Sequence, residues 1–456
     1  MLTRTLSLVL AFCCAAIAAA NESDTLTLSD GRTLQGMILS QQDEGVEFLE
    51  IVQPAGKPTF GVVRNYEKSE IRGIAKADQA VRPRLIKRVE RLRNRTQVEA
   101  ENRETIQLRS EKLGDVRYLV ATGDDYDLYS RLDEPLTRRM AVRLEQAFRA
   151  YHHMIPPRKA SETRLRVLLF DDVREYSDYT ATLGAAVRNP AIFLPQDRLI
   201  LVSADFRRLQ QQAKAAGAEH QRQLDWWEEL RRELPARLDA YREELTAAKI
   251  PADEIEQEIA VRRETFRRQR QDAIVRIKAV ERANDDSLER AVDDTTRRLY
   301  HEAFHAYLEC FVFPVADYDV PIWLNEGLAQ LFEHGQLEGD AFRIDAPPAE
   351  LVAELKKRLA STDRLLLAEL LDRDSAAFVL TTSPHREQLD YALAWGLAWR
   401  LVFEERLFEG NRLEQMVSPG QSRRERLETL LGEPLDQFEP KWRAYAAGLA
   451  DSGRSR

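Results

Sequence analysis

Two histidines and two glutamates stand at spacings that allow them to act on one atom. His301-Glu302-Ala303-Phe304-His305 lies inside a run with helical periodicity. At about 100° per residue, the two imidazoles sit about 40° apart on one helix face and can reach a single ion. Glu302 is turned about 100° from His301. That puts it near the ion but off the line of ligands, where a carboxylate takes a proton from water instead of binding the metal. Tyr300, Phe304, Tyr307, Leu308 and Phe311 flank these residues and mark the helix as buried. Imidazoles in such a setting need a compensating partner. A catalytic zinc takes three protein ligands and keeps one open position. Trp323-Leu324-Asn325-Glu326-Gly327-Leu328-Ala329 offers the third ligand, Glu326, 21 residues past His305. That length lets the chain turn and return as a second helix, with Pro321 as its start signal. The expectation is one Zn2+ per chain held by His301, His305 and Glu326, with Glu302 as general base.

Other residues near these have plainer readings. Cys310 is nine positions after His301, about 180° round the helix, and packs instead of ligating. His152-His153 ends a helical stretch and reads as structural, and Trp226-Trp227 as packing. Glu333 lies one face-repeat beyond Glu326. It either supports a ligand from behind or is a solvated helix carboxylate, and the second is the plainer reading.

The elements that must position this group follow from the rest of the pattern. Residues 286–448 are mainly helical, and 105–203 mix strands with a helix at Leu136–Met154. The strand at Arg198–Val202 is a candidate sheet edge for pairing with an extended peptide. Residues 204–285 are rich in Gln, Glu, Arg and Ala, nearly free of Gly, and broken at Ala248-Lys249-Ile250-Pro251. They predict a long antiparallel helical hairpin, with a kink at Pro235 and arms that reach on the order of 50 Å. Residues 24–76 alternate apolar and polar positions between turns at Asp30-Gly31, Glu44-Gly45 and Pro54-Ala55-Gly56, which predicts a small β-barrel. A basic helical linker over 78–104 follows. The fold class expected is α+β, mainly helical.

His301-Glu302-Ala303-Phe304-His305 followed by Trp323-Leu324-Asn325-Glu326-Gly327-Leu328-Ala329 resembles the gluzincin clan of zinc metallopeptidases, and most closely a group of secreted bacterial gluzincin-like proteins. The resemblance is specific over 295–335 and extends more loosely over 105–205 and 335–448. It implies a catalytic domain over 105–450 with the hairpin as an insertion, and a zinc-activated water that hydrolyses a peptide or protein substrate. It also implies a downstream Tyr or His that stabilises the oxyanion. Tyr391, which opens the apolar helix Tyr391-Ala392-Leu393-Ala394-Trp395, is the first candidate and His385 the second. The Gly-x-Met-x-Asn motif by which aminopeptidase relatives hold a free amino end is absent; Gly184–Asn189 is a loose echo.

Composition bounds the classes. Lys and Arg number 67 against 76 Asp and Glu, a net charge of −9 with the signs intermixed. No clustered basic face for phosphate results, which argues against nucleic acid as the partner. Arg4, an apolar run over Leu6–Ala19 and Ala18-Ala19-Ala20 form a signal peptide over 1–20, predicting a secreted or periplasmic protein. Phe12 before Cys13 argues against lipoprotein processing, and no window reads as a transmembrane span. Cleavage leaves Cys310 alone, so no intramolecular disulfide forms. A competing expectation is a non-catalytic envelope scaffold, with a vestigial or structural zinc and a coiled-coil arm, the hairpin over 204–285, that binds a protein partner.

Overall fold

The computed structural model describes residues 23–52, 60–93, 95–159, 163–183, 189–338, 341–345, 347–360, 366–373 and 384–449, with backbone alone at 52, 60–61, 88, 91–93, 95–99, 336–338, 341, 343 and 384–390. The expected signal peptide and the Gly184–Arg188 part of the loose echo lie outside the described residues, as does the side chain of His385. The chain divides into two compact units, Met1–Glu99 with Gln336–Asp345, and Ala100–Gly335 with Ala346–Arg456. No described helix is long and apolar enough to cross a membrane.

In the first unit the alternating pattern forms strands as expected: β1 (Asp24–Leu28), β2 (Thr33–Gln41), β3 (Gly45–Val52), β4 (Phe60–Glu67) and β5 (Ile71–Ala75). Their apolar positions, among them Leu26, Leu28, Ile38, Val46 and Phe48, share one buried cluster. The barrel does not follow. The sheet runs β12-β13-β4-β3-β2-β1-β5, where β12 is Gln336–Glu338 and β13 Ala341–Arg343. Among the described residues no pairing joins its two ends. The edge of β4 that would close a barrel instead takes β13, from a hairpin far along the chain. Buried Asp24 pins the sheet by accepting from the backbone of Ile38 at 2.9 Å and Ala77 at 2.8 Å, and from Arg82 at 3.1 Å. Helix α1 (Arg82–Arg93) buries Leu85 and Val89 with Leu49 and Val63, so the expected linker contributes to this unit's core. Helix α2 (Arg95–Thr105) completes the segment.

The second unit is α+β. Its sheet has six strands in the order β10-β11-β9-β8-β7-β6. The strands are β6 (Leu108–Leu113), β7 (Val116–Thr122), β8 (Tyr126–Ser130), β9 (Leu165–Phe170), β10 (Ala191–Leu194) and β11 (Leu199–Ser203). β8, β9 and β11 run parallel; β11 is buried at every position and β9 at five of six, as in strands covered on both faces, while β8 alternates. The expected peptide-pairing edge at Arg198–Val202 is therefore wrong by one strand. β11 lies between β9 and β10, and the edge is β10, antiparallel to it. Helix α3 (Glu134–Met154) joins β8 to β9, and α4 (Val173–Thr182) follows β9.

The hairpin is present but longer than expected on its return arm. Helix α5 (Phe206–Ala247) continues through Pro235, and α6 runs from Ala252 to Tyr307 without interruption. At 1.5 Å per residue α6 is about 84 Å long. Pairs such as Arg242–Glu256, Trp227–Phe266 and His220–Glu281 show the antiparallel register. The sequence break expected near 285 is absent, so the helix that carries the histidines is the hairpin's own second arm. The remaining helices are α7 (Ile322–Glu333), α8 (Ala349–Ala360), α9 (Leu366–Leu371), α10 (Pro384–Phe403), α11 (Arg412–Val417), α12 (Arg423–Leu431) and α13 (Leu435–Gly448).

Candidate metal centre

The last two turns of α6 and the middle of α7 bring the candidate ligands together, and an aromatic cluster sets their separation. Phe304, between the two histidines, stacks on Phe332 of α7 with centroids 4.7 Å apart. Tyr151 of α3 meets both edge-on, at 5.5 Å and 4.9 Å. Its hydroxyl donates to the Tyr300 carbonyl at 2.8 Å. Two turns earlier, buried Arg143 of α3 reaches Asp293 at 3.1 Å and Thr296 at 2.9 Å, which ties α6 to the layer beneath it. After Tyr307 the backbone widens into a π-helical turn, Leu308–Val312, and the chain leaves the helix direction. The loop back to α7 is fastened by Arg426, buried on α12, which holds both the carboxylate and the carbonyl of Asp319. Pro321 then opens α7, its carbonyl accepting from Leu324 and Asn325 at 3.0 Å.

Gly327 fixes how close α10 comes. A Cβ at this position would lie 2.4 Å from the Ala394 carbonyl oxygen and 2.8 Å from the Ala398 methyl. Only glycine lets the two helices approach this closely beside Glu326.

Within this frame the expected triad assembles. His305 Nε2 is 3.0 Å from His301 Nε2, His301 Nε2 is 3.3 Å from Glu326 Oε2, and His305 Nε2 is 3.6 Å from Glu326 Oε1. These three residues form a group able to hold a metal ion. Donor atoms of three tetrahedral ligands bonded to an ion at about 2 Å lie about 3.3 Å apart, and the separations here, which reach one Glu326 oxygen from each imidazole, are of that order. Glu326 Oε2 is buried and has no hydrogen-bond partner among the described residues.

The opposite ring nitrogens decide which atoms face the centre. His301 Nδ1 is 2.8 Å from Glu333 Oε2, and His305 Nδ1 is 3.0 Å from Asn325 Oδ1. Both partners are acceptors, so each Nδ1 donates its proton outward and each Nε2 lone pair turns inward. Two inward lone pairs 3.0 Å apart require a cation or a proton between them.

The electrostatics agree. Burial pushes both imidazoles down, yet Glu326 and Glu333 outweigh it at His301, and Glu326 does so at His305, so both titrate above the ordinary histidine range. Burial pushes Glu326 up, and the two histidines overcome that and hold it well below the ordinary carboxylate range.

Glu302 is half-buried on α6 and is not among the ligand atoms. It faces the side where Tyr176 of α4 lies. Burial first, and then the Glu302 charge, raise that phenol to about 12. The Tyr176 hydroxyl donates to the Asn189 carbonyl at 2.7 Å, close before the edge strand β10. α6 also packs along β10 and β11.

A cavity of about 420 Å³ opens beside His301, with Glu333 and Tyr391 in its wall. Tyr391 is half-buried at this wall. Cys310 stays outside the ligand group, as expected. His152 lies 2.9 Å from Asp125 and stacks against Tyr307, a packing role.

Two contributors differ from what the sequence predicts. Glu333, expected as a solvated helix carboxylate, holds His301. Asn325, directly before Glu326, holds His305. The i, i+4, i+7 spacing of Glu326, Gln330 and Glu333 on one face of α7 is the signal that identifies the polar stripe.

Residues 296–414, which contain every member of this group, match a family model described as a protein of unknown function (DUF1570). No curated protein and no solved structure matches the chain.

Proposed function

We propose that the chain is an exported zinc peptidase of gluzincin type, in which His301, His305 and Glu326 hold the ion and Glu302 is the general base. The observation that carries this reading is the pair of imidazoles with both Nε2 atoms turned toward one buried carboxylate while Glu333 and Asn325 hold both Nδ1 protons outward. Zinc fits a set of two nitrogens and one carboxylate oxygen, and a three-ligand set leaves a position open. When bound, it supplies Lewis acidity that lowers the pKa of water and polarises a carbonyl. Glu302 accepts the proton that water gives up as its oxygen attacks the peptide carbonyl carbon. The same carboxyl returns that proton to the amide nitrogen as the C–N bond breaks, so one water is consumed and a carboxylic acid and an amine leave, the acid's proton passing to the amine as carboxylate and ammonium form. The Tyr391 phenol donates a hydrogen bond to the oxygen that gains charge on the way. β10, at the end of its sheet among the described residues, can pair with an extended substrate backbone. The apolar leader over 1–20 supports export.

The test is hydrolysis of an unfolded protein by the zinc-loaded chain and by Glu302→Gln. The variant should keep its zinc and lose about 10²- to 10⁴-fold in rate. A variant that cleaves at the parent rate removes Glu302 from the mechanism.

A second reading of the hairpin as a partner-binding arm is favoured by Trp226, Val261 and Val275, apolar side chains about half exposed on its two helices. It is compatible with the first.

A further inference from the structure

The cavity beside His301 is more polar than the hydrolytic reading requires. Its wall is built from Gln330 and Glu333 of α7, Glu350 and Glu354 of α8, and Tyr391 of α10. At about 420 Å³ it has room for an amino-acid side chain.

Its charge is one-sided. Three carboxylates line it, and among the described residues no lysine or arginine does; the His301 ring in its wall is already held by Glu333. The second lining imidazole, His334, is pushed below the ordinary histidine range, first by burial. Two cations stand nearby. Arg297 acts on Glu333 and His334. Lys357, itself exposed, is 3.6 Å from Glu354. An exposed pair at that separation is weak and yields to a better donor. Glu350 and Glu354 are also i, i+4 neighbours on one face of α8, a like-charge spacing that a helix tolerates at a small cost.

Gln330 is an independent sign. It is 4% exposed, and neither its amide nitrogen nor its amide oxygen has a partner among the described residues. Glu354 Oε1 is buried in the same condition. A buried polar atom left unpaired has lost its water without gaining a partner, which is costly. A leucine would suit this helix position better unless something entering the cavity completes the amide. An alkylammonium or guanidinium group brings several N–H donors to such acceptors, and a guanidinium can fork across two of them.

We infer that this cavity is a subsite for a cationic group of the substrate, either a lysyl or arginyl side chain or a free amino terminus. The word substrate rests on the peptidase reading, but the binding itself does not.

The experiment measures binding to the zinc-loaded full chain by ligand-observed NMR, with N-acetyl-lysinamide, N-acetyl-norleucinamide and free norleucinamide as probes. N-acetyl-lysinamide should bind at least about tenfold tighter than its norleucine counterpart, the worth of one charge-assisted hydrogen bond. The preference should collapse in the double variant Glu350→Gln, Glu354→Gln. If free norleucinamide gains as much as the lysine probe, the cavity takes either cation; a gain by free norleucinamide alone makes the recognised cation the amino terminus. Equal binding of all three probes, no binding at millimolar concentration, or a preference unchanged in the double variant would overturn the subsite. The comparison among probes needs no variant to fold. Cleavage of an unfolded protein by the same sample tests the peptidase reading separately. A charge preference without cleavage leaves the subsite standing and removes the hydrolysis.

Discussion

A histidine can offer a metal only one ring nitrogen, and what the other nitrogen meets decides which. Glu333 at 2.8 Å and Asn325 at 3.0 Å settle that for His301 and His305. The two differ in strength, because Glu333 is an anion and Asn325 is not. Glu333→Gln should therefore lower zinc affinity about 10- to 100-fold, read by competition with a chelating dye. The pH dependence carries a sign that checks the cause. Both imidazoles titrate above the ordinary histidine range without the ion, so protons compete with zinc and affinity falls as pH falls. Removing the Glu333 charge lowers the His301 pKa and weakens that competition. The deficit of the variant should be larger at pH 8 than at pH 6, and a deficit that grows toward acid would contradict the role given to Glu333. His301, Glu302, His305 and Glu326 were legible because their spacing encodes the chemistry directly. Glu333 was not, because a glutamate at the end of a helix has the same appearance whether it meets solvent or an imidazole two turns along another helix.

At the scale of the elements, the centre depends on how three helices pack. Phe304 on Phe332 sets α6 against α7, and Gly327 sets α7 against α10. Gly327→Ala would bring a methyl to 2.4 Å from the Ala394 carbonyl oxygen, so one helix must move. Such overpacking costs about 1–3 kcal/mol of stability. Since Glu326 is the adjacent residue, zinc affinity should fall with it, measured by thermal unfolding with and without zinc. Unchanged affinity in a folded variant would show that α7 is held by other contacts. The helices themselves were readable from periodicity. What periodicity could not reveal is where one helix ends when the next segment is also helical. Residues 252–285 and 286–307 both carry helical spacing, and no Gly or Pro separates them, so the boundary drawn near 285 has no physical counterpart. The sheet edge was misplaced for a related reason: Leu199–Ser203 is the more apolar strand because it is interior, covered by β10 on one side and β9 on the other.

For the molecule as a whole, pairing between distant segments carries what local pattern lacks. The expected barrel remains an open sheet because its free edge at β4 pairs with β13, and nothing in residues 24–76 announces that partner. The hairpin raises the question of whether its arms serve the centre or a partner. Joining Arg222 to Lys278 through a Gly-Asn turn removes the distal arms and keeps the stretch of α6 that bears the histidines. Zinc content and peptide hydrolysis should persist within about twofold, as expected when changes at distant sites act independently. Their loss in a folded protein would make the arms part of the catalytic machinery. The most direct test of the central claim is elemental mass spectrometry on the purified chain and on His301→Ala. One zinc per chain in the parent, lost in the variant, is the predicted result; a parent that binds no zinc even when it is supplied, or a variant that binds it equally well, would contradict the centre built from His301, His305 and Glu326.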